Sequence, residues 1–274
     1  MILRPLLAAS LTVAVLAGPA AHAHGAKPHA AKATADVRGA VVDRPGVPTP
    51  SHFTAAVADP ARPAADRAND ATRLPAQLLA FAQVSRGHTV GDFVMGGGYV
   101  TRLLSAAVGP EGHVYAFQPA EFVAKFPKYG EDQKILDAAY PNVDAVAGPF
   151  AAPAFPVPLD TIITIQNFHD LYLKPFPANT AARASAALFA ALKPGGTLVV
   201  VDHSARAGSG ATLADSLHRI EKPTVVAALA AAGFTLEAES PMYAHPTDPH
   251  TANVFDESIR GRTDQFALRF RKPR

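Results

Sequence analysis

Seven short apolar segments alternate with helix-like segments over most of this 274-residue chain, and this alternation constrains the fold more than any other feature. The apolar segments are predicted strands, at residues 89–95, 113–117, 143–147, 159–166, 197–202, 235–239 and 265–270. Helical spacing of apolar residues predicts helices at 99–108, 131–139, 178–192 and 222–232. Strands that alternate with helices form a mostly parallel sheet with helices on both faces, so the sequence predicts an α/β fold.

The residues that follow the predicted strands are expected to line one ligand-binding edge. In such sheets, ligands bind at the carboxyl ends of the strands, near the point where the strand order reverses. The positions that reach this edge are 96–99, 118, 148–150, 167–170 and 202–204.

Three consecutive glycines, Gly96, Gly97 and Gly98, join the first predicted strand to the helix that follows. Glycines in such a turn let backbone N–H groups approach a ligand, and the helix N-terminus adds a positive field. A dinucleotide site would have glycine or alanine where this chain has Thr101. The turn therefore indicates a cofactor site, but not one for a pyrophosphate.

The chain resembles the class I S-adenosylmethionine-dependent methyltransferases in five successive segments: VGDFVMGGGYVTRLL, VGPEGHVYAFQP, LDTIITIQNFHDLY, LKPGGTLVVVDH and AAGFTLEAES. More narrowly, it is similar over residues 59–274 to a bacterial group of predicted methyltransferases that carry a signal peptide. The resemblance implies a Rossmann-like, seven-stranded, mostly parallel sheet whose last strand is antiparallel. It also implies S-adenosylmethionine as the cofactor and methyl transfer to a small-molecule acceptor.

The resemblance assigns the cofactor site to residues at the predicted edge. Asp92 and the three glycines match the family's loop around the methionine part of the cofactor, and Gln118 stands where the family has an acid for the ribose hydroxyls. The cofactor-binding candidates are Asp92, Gly96, Gly97, Gly98, Tyr99, Gln118 and Asn167.

Three departures from the family pattern keep a second interpretation open. Gln118 replaces the ribose acid, Val94 replaces a glycine, and Pro149 stands where a second acid would meet the adenine. A neutral amide oxygen is a weaker acceptor than a carboxylate. The alternative function is therefore an exported, non-catalytic small-molecule binding protein that retains the fold.

Candidate catalytic residues lie in the sequences NFHD and VVDH, at the same edge. Methyl transfer is an in-line displacement, which needs a base only when the nucleophile starts out protonated. His169 follows the strand expected beside the glycine strand and is the first candidate base, with Asp170 and His203 as further candidates. Alternatively, Asp170 caps a turn, and the two histidines are structural. His218 and Arg219 are interpreted as solvated surface residues.

No metal site is predicted, because the histidines lack a closely spaced ligand motif such as HExxH. A metal-dependent hydrolase is the third interpretation. The long segment 241–263 is expected to cover the pocket and select the substrate. It would bring His245, Asp248, His250, Asp256 and Arg260 to the site.

The N-terminus and the composition indicate where the protein acts. Residues 1–23 combine an early Arg4, a short apolar stretch and a small-residue end, which is typical of a signal peptide cleaved after Ala23. Residues 24–58 are predicted to be a disordered leader, and residues 59–274 a methyltransferase-like domain. We therefore expect a periplasmic or secreted protein without stable membrane insertion. The net charge of +2 and scattered basic residues argue against nucleic-acid binding, and the absence of cysteine excludes disulfides.

Overall fold

The computed structural model describes residues 41–42 and 51–274. The predicted signal peptide, its cleavage site after Ala23 and most of the predicted leader lie outside these residues. Among the described residues, no helix is both long enough and apolar enough to span a lipid bilayer.

One eight-stranded sheet organises the described part of the chain. The strands are β1 (Val41–Val42), β2 (Thr89–Phe93), β3 (His113–Pro119), β4 (Val143–Gly148), β5 (Leu159–Ile165), β6 (Leu192–His203), β7 (Thr235–Ser240) and β8 (Gln265–Arg271). Their order is β1-β7-β8-β6-β5-β2-β3-β4, and β8 runs antiparallel to both of its neighbours. The seven predicted strands and the antiparallel last strand are confirmed. The short β1, which pairs in parallel with β7, was not predicted.

Helices cover both faces of this sheet. In the described residues they are α1 (Ser51–Val57), α2 (Ala64–Arg67), α3 (Asp70–Arg73), α4 (Pro75–Phe81), α5 (Tyr99–Val108), α6 (Ala120–Lys125), α7 (Lys128–Ala139), a 310 helix (His169–Tyr172), α8 (Thr180–Ala191), α9 (Ala214–Leu217) and α10 (Lys222–Ala231). The four predicted helices correspond to α5, α7, α8 and α10. The strand pattern explains the two layers, since successive side chains point to opposite faces: Ile163 packs in a core with α4 and α5, and Ile162 in a core with α8 and α10.

Helix α1 differs from the predicted leader, which was expected to be disordered up to residue 58. Phe53 and Ala56 are 2% and 3% exposed and belong to the same core as α4 and α5. These residues are three apart and therefore share one face of a helix. The folded part of the chain thus includes residues that composition alone assigned to the leader.

Strand order reverses between β2 and β5. Strands β3 and β4 follow β2 on one side, while β5 and β6 lie on the other. Because β2 and β5 pair in parallel, with Asp92 opposite Ile163, their carboxyl ends lie side by side. The glycine turn and the residues after β5 therefore meet at the point where such sheets bind ligands.

Candidate active site

A cavity of about 1090 Å³ opens at the carboxyl ends of β2, β5 and β6. Binding sites for small molecules have about this size, and in α/β sheets they lie at this edge. Eight of the ten predicted site residues line it: Asp92, Gly96, Gly97, Tyr99, Asn167, His169, Asp170 and His203. Gly98 and Gln118 do not.

The three glycines of the turn have different structural roles. A Cβ atom built on Gly96 or Gly97 would meet no atom within 4 Å, so both positions are bare backbone facing open space. A Cβ on Gly98 would overlap Leu136 of α7, and Gly98 has a φ of 81°. Gly98 is therefore needed for packing, which differs from its predicted place in the cofactor site.

Gln118 also differs from its predicted role. Its side chain is fully buried, and its Oε1 accepts a hydrogen bond of 3.0 Å from the backbone N–H of Gly96. The oxygen assigned to the ribose is thus used to hold the glycine turn. Its Nε2 is buried and has no hydrogen-bond partner among the described residues.

Backbone strain marks both sides of the strand-order reversal. Val94 and Gln166, which follow β2 and β5, have φ angles of 69° and 61°. A positive φ is rare for residues other than glycine and most costly for a β-branched one. Such strain, of roughly 1–3 kcal/mol per residue, is concentrated at functional sites. It also explains why a glycine would suit the position of Val94.

Asp92 is a buried acid in the cavity wall. It is 3% exposed, and its Oδ2 accepts a 2.6 Å hydrogen bond from the Thr101 hydroxyl. Burial disfavours the charged carboxylate and raises the pKa of Asp92 to about 6, although the Thr101 bond opposes the shift. This hydrogen bond to Asp92 explains the presence of Thr101 near the start of α5.

Tyr99 joins the glycine turn to the N-terminal helices. Its hydroxyl donates a 2.7 Å hydrogen bond to Asp70, and the guanidinium of Arg73 lies 4.7 Å from its ring centre. Burial and the Asp70 bond raise the pKa of Tyr99, so the phenol stays protonated. Asp66, Asn69 and Arg73 also line the cavity, a wall that sequence reasoning missed.

His169 lies in the 310 helix after β5 and is held by Asp202 at the end of β6. The Asp202 carboxylate accepts one 2.7 Å hydrogen bond from the backbone N–H of His169 and a second, also of 2.7 Å, from Nδ1 of the His169 ring. Both side chains are almost completely buried. Burial alone would lower the pKa of His169, but the Asp202 carboxylate outweighs it and raises that pKa. Burial likewise tends to raise the pKa of Asp202, and His169 reverses this and lowers it.

His218 reaches the same cluster from the end of α9, 49 residues further along the chain. Its Nδ1 lies 3.2 Å from the Nε2 of His169. The Asp170 Oδ1 lies 3.3 Å from that Nε2 and 3.9 Å from the Nδ1 of His218. Burial raises the pKa of Asp170 to about 6 and, together with His169, lowers that of His218. The prediction that His218 is a surface residue is wrong in this respect: it lines the cavity.

His203 and Arg219 have structural partners. The Nδ1 of His203 is 2.9 Å from the Thr263 hydroxyl, and burial lowers the pKa of His203 to about 4, so its imidazole is neutral at pH 7. Arg219, predicted to be solvated, is fully buried and forms a 2.9 Å ion pair with Asp248. That pair holds the long segment 241–263 against the connection between α9 and α10.

The segment 241–263 does reach the cavity, as expected, but through other residues. Val254 and Phe255 line the cavity, and the five polar residues named from the sequence do not. Phe255 is 59% exposed, and its ring packs edge-to-face against His218 at 4.9 Å. The segment thus contributes apolar surface. Asn167 also lines the cavity, and its amide donates a 2.5 Å hydrogen bond to the carbonyl of Ile165.

Comparisons with known proteins identify the fold. No protein-family model and no curated protein matches the sequence. Among solved structures, a SAM-dependent methyltransferase from Aquifex aeolicus is 20% identical with a TM-score of 0.51, covering 75% of this chain and 95% of its own. An arsenic(III) S-adenosylmethionine methyltransferase from Chlamydomonas reinhardtii is 15% identical with a TM-score of 0.50, covering 83% and 75%. The (4+2) cyclase SpnF is 18% identical with a TM-score of 0.52, covering 77% and 81%. The chain therefore has the Rossmann-like fold of class I methyltransferases.

Proposed function

We propose that this chain, with its class I methyltransferase fold, transfers a methyl group from S-adenosylmethionine to a small-molecule acceptor. One observation carries the proposal: a glycine turn with two bare positions borders a cavity of about 1090 Å³ at the strand-order reversal. Two of the similar solved structures are named as S-adenosylmethionine-dependent enzymes, which supports this choice of cofactor.

The residues present fit the cofactor. Gly96 and Gly97 offer backbone that a ligand can touch, and Asp92 places a carboxyl group in the same wall. Gln118 fixes the turn from behind, because its Oε1 is bound to Gly96. S-adenosylmethionine supplies an electrophilic methyl group on a sulfonium; the protein has to position it and keep water away.

Aromatic side chains also line the cavity. Its lining includes Phe122, Phe126, Tyr129, Phe176 and Phe255. Phe126 and Phe255 are at least half exposed, and exposed aromatic side chains at a cavity are typical of ligand contacts. We propose an acceptor with an apolar or planar body.

His169 is the proposed base for an acceptor that starts out protonated, with Asp170 and His203 beside it. The bond to Asp202 uses Nδ1 of His169 and leaves Nε2 as the atom that can accept a proton. Asp202 both orients the ring and stabilises the imidazolium.

Calorimetric titration with S-adenosylmethionine and S-adenosylhomocysteine, in the presence of a chelator, tests the cofactor site. Gly97 is the best position to block, because its φ is not positive and no atom surrounds its Cβ. We expect Gly97→Val to weaken binding by at least about 100-fold, a loss of about 2.7 kcal/mol, without changing the melting temperature. Ala207→Val, which adds the two Cγ methyl groups of valine at an exposed turn outside the cavity, is the control.

The outcomes separate the competing functions. Failure of the wild-type protein to bind either ligand would contradict the proposal. Binding without release of S-adenosylhomocysteine over a broad panel of small aromatic acceptors would favour the alternative, a binding protein that retains the fold.

We also propose that residues 1–23 direct export and that the mature chain is periplasmic or secreted. Mass spectrometry of the exported protein should find His24 as the first residue. An intact Met1 in that fraction would contradict the proposal.

A further inference from the structure

We propose that His169, Asp170 and His218 bind one divalent transition-metal ion of the Zn²⁺ class in the wall of the cavity. Two imidazole nitrogens and one carboxylate oxygen are a common ligand set for such ions, and three protein ligands leave a coordination position for a substrate or water. The inference concerns a site that no residue spacing in the sequence indicated.

The distances fit an ion. The three atoms, His169 Nε2, His218 Nδ1 and Asp170 Oδ1, form a triangle with sides of 3.2, 3.3 and 3.9 Å. The circle through its corners has a radius of about 2.0 Å, so one point lies about 2.0 Å from all three atoms. Zinc bonds to imidazole nitrogen and carboxylate oxygen have lengths of about 2.0–2.2 Å.

Asp202 prepares His169 for this role. A metal-binding histidine characteristically donates its other ring N–H to a carboxylate, which fixes the tautomer and the ring orientation. Nδ1 of His169 has such a partner in Asp202, at 2.7 Å. The lone pair is then on Nε2, the atom that faces Asp170 and His218.

A cation also resolves a contact that is unfavourable when His169 is neutral. With its proton on Nδ1, His169 presents the Nε2 lone pair to the Asp170 carboxylate at 3.3 Å, so two acceptors face each other. Either an ion between them or a second proton on His169 removes the repulsion. Little solvent reaches these two side chains, since His169 is 3% and Asp170 9% exposed.

The ion would face the cavity, because all three residues line it. A bound acceptor oxygen or water would have its pKa lowered there. This consequence rests on the proposed function. With the ion bound, His169 is a metal ligand, and the ion instead of His169 activates the acceptor. Binding of the ion does not depend on the cofactor.

Metal binding to the full-length protein, without cofactor, tests the proposal. Equilibrium dialysis with Zn²⁺ and the visible absorption of added Co²⁺ would be measured on the wild type, His218→Ala and Asp170→Asn. The control, His245→Ala, removes an exposed histidine outside the cavity and keeps the total histidine count equal to that of His218→Ala. Circular dichroism checks that each variant is folded.

We expect the wild type and His245→Ala to bind one ion more than His218→Ala, or the same ion at least about 100-fold more tightly. The Co²⁺ form should show the intense absorption of a four-coordinate site, and this should be lost in both ligand variants. Asp202→Asn should weaken binding by about 10–100-fold. Equal stoichiometry and affinity in wild type and His218→Ala would overturn the proposal and leave the second proton on His169 as the explanation. Cofactor titrations made in chelator keep this result separate from the fate of the proposed function.

Discussion

The two sides of the cavity are built in different ways. On one side, the glycine turn after β2 presents bare backbone at two adjacent residues, Gly96 and Gly97, and Gly98 packs behind them against Leu136. On the other side, side chains from three separate segments converge: His169 and Asp170 after β5, Asp202 and His203 at the end of β6, and His218 after α9. The first side depends on the absence of side chains, and the second on their precise contact.

This difference predicts how each side fails. A backbone surface is damaged by atoms added at its bare positions, while its stability depends on the few contacts behind it. A buried cluster of charged and polar groups is damaged when one member is removed, because the remaining groups lose their partners in a dry environment. Adding atoms at a bare glycine should therefore weaken ligand binding with little change in the free energy of unfolding. Removing a side chain from the histidine cluster should instead lower the free energy of unfolding.

The largest loss of stability is expected for Asp202→Ala. Asp202 is fully buried and accepts from the backbone N–H groups of His169 and His203 as well as from the His169 ring. Removing one partner of a buried charged pair costs about 3–5 kcal/mol. The free energy of unfolding from urea denaturation measures it. Asp144→Ala, which breaks the partly exposed His113–Asp144 pair of 3.0 Å, should cost less than about 1 kcal/mol. Equal losses in the two variants would mean that the cluster is not tightly coupled.

A pair of alanine variants sharpens the picture of the glycine side. Gly98→Ala places a Cβ against Leu136 at a φ of 81°, so it should destabilise the protein by about 2–4 kcal/mol. Gly97→Ala meets no atom and should leave the free energy of unfolding within about 0.5 kcal/mol of the wild-type value. Denaturant melts of the two proteins give the comparison. Similar losses at both positions would show that the turn is packed throughout and cannot be a ligand cradle.

The glycine side could be predicted from the sequence because its signal is local. Strand β2, the turn and helix α5 are contiguous, and the strand and helix periodicities gave their bounds almost to the residue. The sequence alone could not show that the three glycines of the turn have different roles. That Gly98 is required for packing follows from Leu136, which lies 38 residues away and on another helix.

The histidine side was predicted in part. His169, Asp170 and His203 were named because parallel strands bring their carboxyl ends together. His218 was missed because it follows no strand; α9 ends there in a left-handed conformation, with a φ of 54°, and this turn directs it to the cluster. Histidine is among the residues that adopt this conformation more readily, but its direction in space depends on tertiary packing.

Asp92→Asn is expected to increase stability in a pH-dependent way, although it lies on the proposed cofactor side. The pKa of Asp92 is about 6 in the folded protein and near 3.8 when unfolded. Its contribution to stability is therefore fully present below pH 3.8 and lost as the pH rises through 6. Asparagine does not ionise and can still accept from Thr101. We expect the variant to be about 3 kcal/mol more stable than the wild type at pH 8, and this advantage to shrink to less than about 1 kcal/mol near pH 4.

Urea denaturation of both proteins at the two pH values, without ligand, measures this difference. Other titrating groups are common to the two chains and cancel in the comparison. An advantage that is the same at both pH values would contradict the assigned pKa. The same variant should bind S-adenosylmethionine more weakly, so that stability and binding change in opposite directions.

The smallest effect is expected for Thr263→Val, at the edge of the histidine side. Thr263 is 1% exposed, and its hydroxyl lies 2.9 Å from Nδ1 of His203. Valine keeps the shape of the side chain and removes the bond to His203 together with a long bond of 3.5 Å from the Gln265 amide, which should cost about 1 kcal/mol. Because the change lies away from the glycine turn, binding of S-adenosylmethionine should be unchanged while any methyl transfer falls. A parallel loss of cofactor affinity in calorimetry would show that the two sides of the cavity are coupled, since the bonds removed touch only the histidine side.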